Sequence, residues 1–226
     1  MNSPELQNVP LFAFATAMEF SKVFPEDSSK AESQNQLIPL SGPFQGCFAC
    51  ILGVGILDFS AGLASLLFNC KQTNFKISAV ISLGICGAYP DRGLSLLDVV
   101  NVSSDRVGDL GCEEQDGSHT LWDKSILGGN CCQAPAVIQK MLVALPQVVG
   151  ATVNCCTGTA TTAVERVKNM GCDVESMEGA ACFAICQKFN IPAFQIRAVS
   201  NIASTRDKSQ WKIEEALEKL HKCICG

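Results

Sequence analysis

Residues 174–181 read Val-Glu-Ser-Met-Glu-Gly-Ala-Ala, and an apolar run continues to Phe189. A short β-type segment ends here in two carboxylates, Glu175 and Glu178, and the pattern predicts a helix starting at Gly179. Helix starts leave backbone N–H groups without partners and favour nearby negative charge. Ala180 and Ala181 let another group approach the first turn closely. Two readings of Glu178 are open. It caps the helix, or it accepts hydrogen bonds from a ligand, for which the paired hydroxyls of a sugar suit one carboxylate.

Outward from this motif, strand-like and helix-like segments alternate. Strands are expected at 9–15, 46–52, 78–83, 96–102, 150–154, 172–174 and 193–200. Helices are expected at 57–68, 135–145, 161–170, 179–189 and 207–223, with Thr159 or Thr161 as N-cap of the third. In the last helix Trp211, Ile213, Ala216, Leu217 and Leu220 form a stripe read as core. Such alternation predicts a layered α/β fold. No repeat or linker divides the chain, so residues 1–226 are read as one domain. Residues 25–35 are expected to be an exposed connection and 122–129 irregular. Residues 103–117 are expected to be a polar loop, with Asp105, Arg106 and Asp109 solvated or meeting a substrate.

Ligands of open α/β sheets gather beyond the carboxyl ends of strands. Thr16-Ala17-Met18-Glu19 follows the first strand, which makes Glu19 a candidate, with a helix-start carboxylate as the alternative. Gly53-Val54-Gly55 lacks the spacing of a dinucleotide-binding turn. Gly84 and Gly87, after the third strand, mark a place where something approaches the backbone. Arg197 is embedded in the last strand and Asn201 is expected just beyond its end.

Composition narrows the classes. Of 226 residues 47% are hydrophobic and 17% charged, enough to bury a sizeable core. Mean hydropathy is +0.22, yet no run reaches the ~18 apolar residues of a membrane helix. Net charge is −5, with no Lys/Arg cluster, which argues against nucleic acid as a partner. Met1–Pro10 is polar without a basic start, so no secretory signal is expected. Fourteen cysteines then point to free thiols in a reducing cytoplasm. Cys47, Cys50, Cys70, Cys86, Cys172, Cys182 and Cys186 sit in apolar stretches, as small hydrophobes do. Cys131-Cys132 and Cys155-Cys156 are adjacent rather than spaced for zinc, so no metal is expected. With two histidines, no Cys–His nucleophile can be argued.

Taken together, 177–181 (Met-Glu-Gly-Ala-Ala), Pro192 and 197–201 (Arg-Ala-Val-Ser-Asn) resemble the purine nucleoside phosphorylase / methylthioadenosine nucleosidase superfamily. Gly84, Gly87 and Ala17-Met18-Glu19 fit the same pattern. Within it the look is nearest to the futalosine hydrolases of menaquinone biosynthesis. The resemblance implies an α/β three-layer sandwich around a mixed twisted sheet. It also implies a homo-oligomer with a neighbouring subunit near the site, a nucleoside substrate and no cofactor.

The same resemblance implies residue roles. Met177 packs on the ribose, Glu178 takes its 2′- and 3′-hydroxyls, and Gly84 and Ile85 line the substrate. Glu19 and Arg197 hold the attacking water, Glu19 as general base, although nucleosidases carry several acids in a row there and their base falls at Glu19 or Ser21. The Asn201 position handles the leaving base, where methylthioadenosine nucleosidases carry Asp. Asn cannot protonate a base, but its amide matches the oxygen of a 6-oxopurine such as hypoxanthine. Ser82 and Ile85 stand where bacterial-type phosphorylases carry Arg and Ser, so water is the expected nucleophile. Arg206, Trp211 and Arg106 are candidates for the far end of the substrate. The competing readings are a methylthioadenosine/adenosylhomocysteine nucleosidase and a nucleoside-binding protein without activity.

Overall fold

The computed structural model describes residues 8–73, 75–117, 119–122 and 125–226. The strands are β1 (Asn8–Phe14), β2 (Ile38–Pro39), β3 (Phe48–Ile51), β4 (Lys76–Ala88), β5 (Val99–Val107), β6 (Gly111–Glu113), β7 (His119–Leu121), β8 (Ser125–Leu127), β9 (Gln147–Thr152), β10 (Val174–Ser176) and β11 (Ala193–Ile202). The helices are α1 (Ala17–Val23), α2 (Gly55–Gln72), α3 (Ala136–Ala144), α4 (Ala160–Met170), α5 (Gly179–Phe189) and α6 (Ile213–Cys225).

The central sheet runs β10-β9-β5-β11-β4-β1-β3-β2, with β8 added on β5. It is mixed, as expected. β1 pairs in parallel with β3 and β4, and β4 with β11, whereas β5 meets β11 antiparallel. The twist carries further than the sequence indicates: β10 pairs with β9 on one side and with β4 on the other, so β4, β11, β5, β9 and β10 close a ring. Small and β-branched side chains fill it. Cys86, Ala88, Val100, Val102, Val148, Val174 and Val199 form one buried cluster with a contribution from all five strands.

Helices cover the sheet on two sides. Against one face, Phe20 and Val23 of α1, Ile138 and Leu142 of α3, and Ala216, Leu217 and Leu220 of α6 join Phe12, Ile81 and Ile196. Against the other, Phe59, Leu63 and Leu67 of α2 and Cys182, Phe183 and Cys186 of α5 join Leu11 and Val80. Alternate residues of β1 therefore face opposite layers, as the two-residue strand period requires. Edge-to-face rings of Phe12, Phe14, Phe20, Phe24 and Phe44, with centroids 5.2–6.1 Å apart, fix α1 on β1. Burial of one such ring contributes about 1.5–3 kcal/mol.

Four expectations need correction. β4 does not end before Gly84 but runs through Gly84 and Gly87 to Ala88. Asn201 is inside β11, opposite Gly87, where a bulge shifts the register after Val199. Residues 103–107 belong to β5, and Asp105 is buried rather than in a solvated loop; of the rest of the expected loop, Asp109 and residues 111–117 are exposed. Residues 125–127, expected to be irregular, form β8 on β5. Thr159 caps α4, accepting from Thr162 N at 3.1 Å. Residues 1–7, the bulk of the polar start, lie outside the described residues. All fourteen cysteines are free, and the seven placed in apolar stretches are the seven buried ones.

Candidate active site

The carboxyl ends of β1, β4, β10 and β11 and the first turns of α1 and α5 surround a cavity of about 190 Å³. Glu19, Ile85, Met177, Glu178 and Asn201 all line it, together with Glu175, Ser176, Thr157, Cys156 and Trp211. Arg197 and Gly84 stand one layer behind.

Glu178 occupies the N-cap position of α5, but its side chain makes no capping bond. Its Oε1 instead accepts from Gly55 N, at 3.0 Å, the first residue of α2. Gly55 has φ +89°, where a glycine is favoured. Oε2 lies 4.0 Å from Arg197 Nη2. Gly55 N fills one acceptor site of a carboxylate that has about four. Glu178 is thus a buried carboxylate (5% exposed) facing a cavity with acceptor capacity left over. Glu175, which sequence paired with it, is differently placed. Its oxygens accept from Thr157 N at 2.9 Å, Thr157 Oγ1 at 2.5 Å, Tyr89 Oη at 2.7 Å and Arg166 Nη1 at 3.1 Å. The protein itself satisfies Glu175, which ties β10 to the turn before α4.

Glu19 divides its two oxygens. Oε2 accepts from Thr16 N and Thr16 Oγ1, at 3.0 and 2.9 Å, completing a capping box for α1. Oε1 turns to the cavity wall, 3.3 Å from Ile85 N. Burial pushes its pKa up, the Arg197 guanidinium pulls it back, and nearby Glu178 pushes it up again, for a net rise. Ser21 does not line the cavity.

Arg197 is 1% exposed. Its Nε donates to Gln195 Oε1 at 2.9 Å and its Nη2 to Ser82 Oγ at 3.0 Å. The space a Gly84 side chain would fill is taken by Arg197 Nη1 and by Glu19 Oε1, the latter 2.5 Å from the ideal Cβ. Gly84 is thus the opening through which guanidinium and carboxylate approach the same point of β4. Arg197 Nη2 and Glu178 Oε2, 4.0 Å apart, are within ion-pair reach, whereas Glu175 pairs with Arg166.

Asn201 lies across from Gly87, whose missing side chain leaves room for Nδ2. The buried Ser200 Oγ has two acceptors within reach of its one proton, Asn201 Oδ1 at 2.9 Å and Cys86 O at 3.2 Å. Beyond Asn201, Trp211 closes one side of the cavity, with the Arg206 guanidinium 5.8 Å above its ring. Trp211 precedes α6, so it is a wall of the cavity and not part of the core stripe. Arg106 does not reach the cavity.

A model of the Phosphorylase superfamily matches residues 50–226. The chain belongs to this superfamily. Among curated proteins it is 28% identical over 181 residues to a futalosine hydrolase of Thermus thermophilus, covering 76% of this chain and 78% of that one. It is 30% identical over 180 residues to a futalosine hydrolase of Streptomyces coelicolor, covering 76% and 74%. The fold matches a 5'-methylthioadenosine/S-adenosylhomocysteine nucleosidase of Helicobacter pylori, with TM-score 0.76, 16% identity and 98% and 97% of the two chains covered. It also matches a futalosine hydrolase mutant of Helicobacter pylori, with TM-score 0.75, 16% identity and 96% and 97% covered.

Several residues of this candidate site carry no sequence signal by themselves. Thr157, Tyr89 and Arg166 converge on Glu175 from three separate segments. Ser176 has a buried hydroxyl without a hydrogen-bond partner among the described residues, and it lies on the cavity wall beside Met177. Its place in 174–178 was visible, but nothing in the motif told it from its neighbours. No group of three or more His, Cys, Asp or Glu among the described residues is arranged to hold a metal ion.

Proposed function

We propose that the chain is a nucleoside hydrolase that cleaves the N-glycosidic bond of futalosine and releases hypoxanthine, in menaquinone biosynthesis. The observation that carries this is the pinned amide of Asn201. Its Oδ1 lies 2.9 Å from Ser200 Oγ and its Nδ2 is turned toward Gly87 on the cavity wall, which makes Nδ2 the end placed to donate. A 6-oxopurine offers an acceptor there, whereas adenine offers an amino donor. The two curated relatives bear the same activity in their names.

In this reading Glu178 accepts from the two ribose hydroxyls and Met177 packs on the sugar, with Ile85 also lining the cavity and Gly84 behind it. Positioning of this kind lowers the barrier by fixing the sugar for attack. A water molecule held at Glu19 Oε1 attacks the anomeric carbon as the bond to the base breaks, and Glu19 takes its proton. A base with a raised pKa suits that task near neutral pH. The bond electrons leave with the purine ring, whose charge the Asn201 amide stabilises before the base is protonated. Arg197, one layer back, offsets the charges of Glu19 and Glu178. Ser82 supports water over phosphate, because its hydroxyl is committed to Arg197 deep in the fold.

Residues 1–226 are read as one such domain. Val54 and Met18, both exposed (51% and 46%), line the cavity, and Leu57, in the first turn of α2 after Val54, is 82% exposed; a second copy covering them accords with a homo-oligomer. Fourteen free thiols favour a cytoplasmic home, and no helix among the described residues is long and apolar enough to cross a membrane.

The test is base release from futalosine, inosine and methylthioadenosine, with the base identified by chromatography. Hypoxanthine from futalosine at the highest kcat/KM is expected. Adenine from methylthioadenosine as the preferred product would overturn the reading of Asn201.

A further inference from the structure

A buried chain of hydrogen bonds ends on Asp105, a residue outside the cavity. Asp105 is 1% exposed and sits on β5. Its Oδ1 accepts from Thr152 Oγ1 at 2.9 Å and from Arg106 N at 2.8 Å. Its Oδ2 accepts from Gln195 Nε2 at 2.9 Å. Both arms lead to the site. Thr152 Oγ1 accepts from Ala180 N, at 2.7 Å, in the first turn of α5, next to the Glu178 N-cap. Gln195 Oε1 accepts from Arg197 Nε at 2.9 Å.

The direction of every bond is fixed by chemistry. A backbone N–H and a guanidinium can only donate. Gln195 must therefore accept from Arg197 with its oxygen and turn its amide toward Asp105. Thr152 must accept from Ala180 and send its own proton to Asp105. Two lines of donors converge, and only a carboxylate accepts at both ends. Two glycines keep the space for it: a Cβ at Gly150 would lie 2.7 Å from Asp105 Oδ2, and a Cβ at Gly179 would collide with the same oxygen and with Gln195.

We propose that Asp105 is a positioning residue that, by accepting at both oxygens, orients the Arg197 guanidinium and the first turn of α5 and thereby sets the Glu178 carboxylate. This rests on the reading of Glu178 as the sugar anchor. Burial pushes the Asp105 pKa up to about 6, so the carboxylate is still charged at neutral pH.

The experiment compares Asp105→Asn with the double variant Asp105→Asn/Gln195→Glu. In the single variant an amide must point a donor at Gln195 Nε2, or at Thr152 and Arg106, and one arm breaks. The double variant reverses one bond: Asn at 105 donates to Glu at 195, which still accepts from Arg197 Nε. The single variant is expected to lose about tenfold to a hundredfold in kcat/KM, and the double variant to regain most of it. The second readout is the ¹⁵N–¹H signal of Arg197 Nε, assigned by its loss in Arg197→Lys. It is expected to be protected from exchange in wild type and the double variant, and exposed in the single one. A folded single variant with wild-type kcat/KM and a protected signal would overturn the proposal. So would a double variant that is no better than the single one or does not fold. The signal needs no substrate, so a protein that leaves futalosine intact yet shows the expected pattern would sink the proposed activity and not the hydrogen-bond chain.

Discussion

Replacing Glu178 by Gln keeps shape and changes only what the side chain can accept. Glu178 Oε1 serves Gly55 N, and Oε2 stands open 4.0 Å from Arg197. A carboxylate has about four acceptor sites, so after Gly55 it can take both ribose hydroxyls. A Gln oxygen has two, one of which stays with Gly55 N. One hydroxyl then loses its acceptor and meets an N–H₂ donor, and the other keeps only a neutral partner. The first loss is worth about 1.5–3 kcal/mol and the second about 1 kcal/mol. Together they predict a fall in kcat/KM of about 70-fold to 900-fold. Steady-state release of hypoxanthine from futalosine measures it, with circular dichroism and thermal unfolding as controls for folding. A folded Glu178→Gln protein within threefold of wild type would refute the assignment of the ribose to this carboxylate.

Gly84→Ala puts a methyl 2.5 Å from Glu19 Oε1 and against Arg197; overpacking of about 1–3 kcal/mol is expected to lower Tm and kcat together, and an unchanged pair would show that the opening is not needed. Asn201→Asp is expected to shift the kcat/KM ratio from 6-oxopurine toward adenine nucleosides, and an unchanged ratio would remove the argument from the pinned amide. Arg206→Ala is expected to raise KM for futalosine, whose tail carries a carboxylate, but not for inosine; equal effects on both would place Arg206 outside tail recognition. For pH, Asp105 has a pKa raised from 3.8 to about 6, so the stability it lends is complete below about 3.8 and is lost as pH rises through 6. Glu19 acts in the same direction, and Asp27, whose pKa is lowered, in the opposite one, losing its contribution as pH falls below 3.8. Urea unfolding should show the stability gap between wild type and Asp105→Asn shifting by about 2 kcal/mol across pH 4 to 6; a constant gap would contradict it.

Much of the fold was legible because its signals are local. The helix at Gly179–Phe189 follows from an apolar run after small residues, α2 and α3 from their apolar patterning, and α4 from its Thr159 cap as well. What failed was non-local. Ser-Ser-Asp-Arg at 103–106 has no apolar alternation, so it reads as loop; it is a strand because Gln195 and Thr152, 90 and 47 residues away, satisfy Asp105 inside the fold. Gly84 and Gly87 read as a strand end, yet they interrupt nothing: they are bare so that Arg197, Glu19 and Asn201 can approach β4. Ring closure through β10 and β4 depends on accumulated twist, which no short segment carries. In the site, Glu175 and Glu178 look alike in sequence. They separate only when Tyr89, Thr157 and Arg166 are seen to claim one and leave the other open.

The most direct measurement is hypoxanthine release from futalosine in phosphate-free buffer, repeated with phosphate added. The account predicts full release without phosphate, an unchanged rate with it, and no sugar phosphate among the products. Release that requires phosphate, or no release from futalosine under either condition, would contradict it.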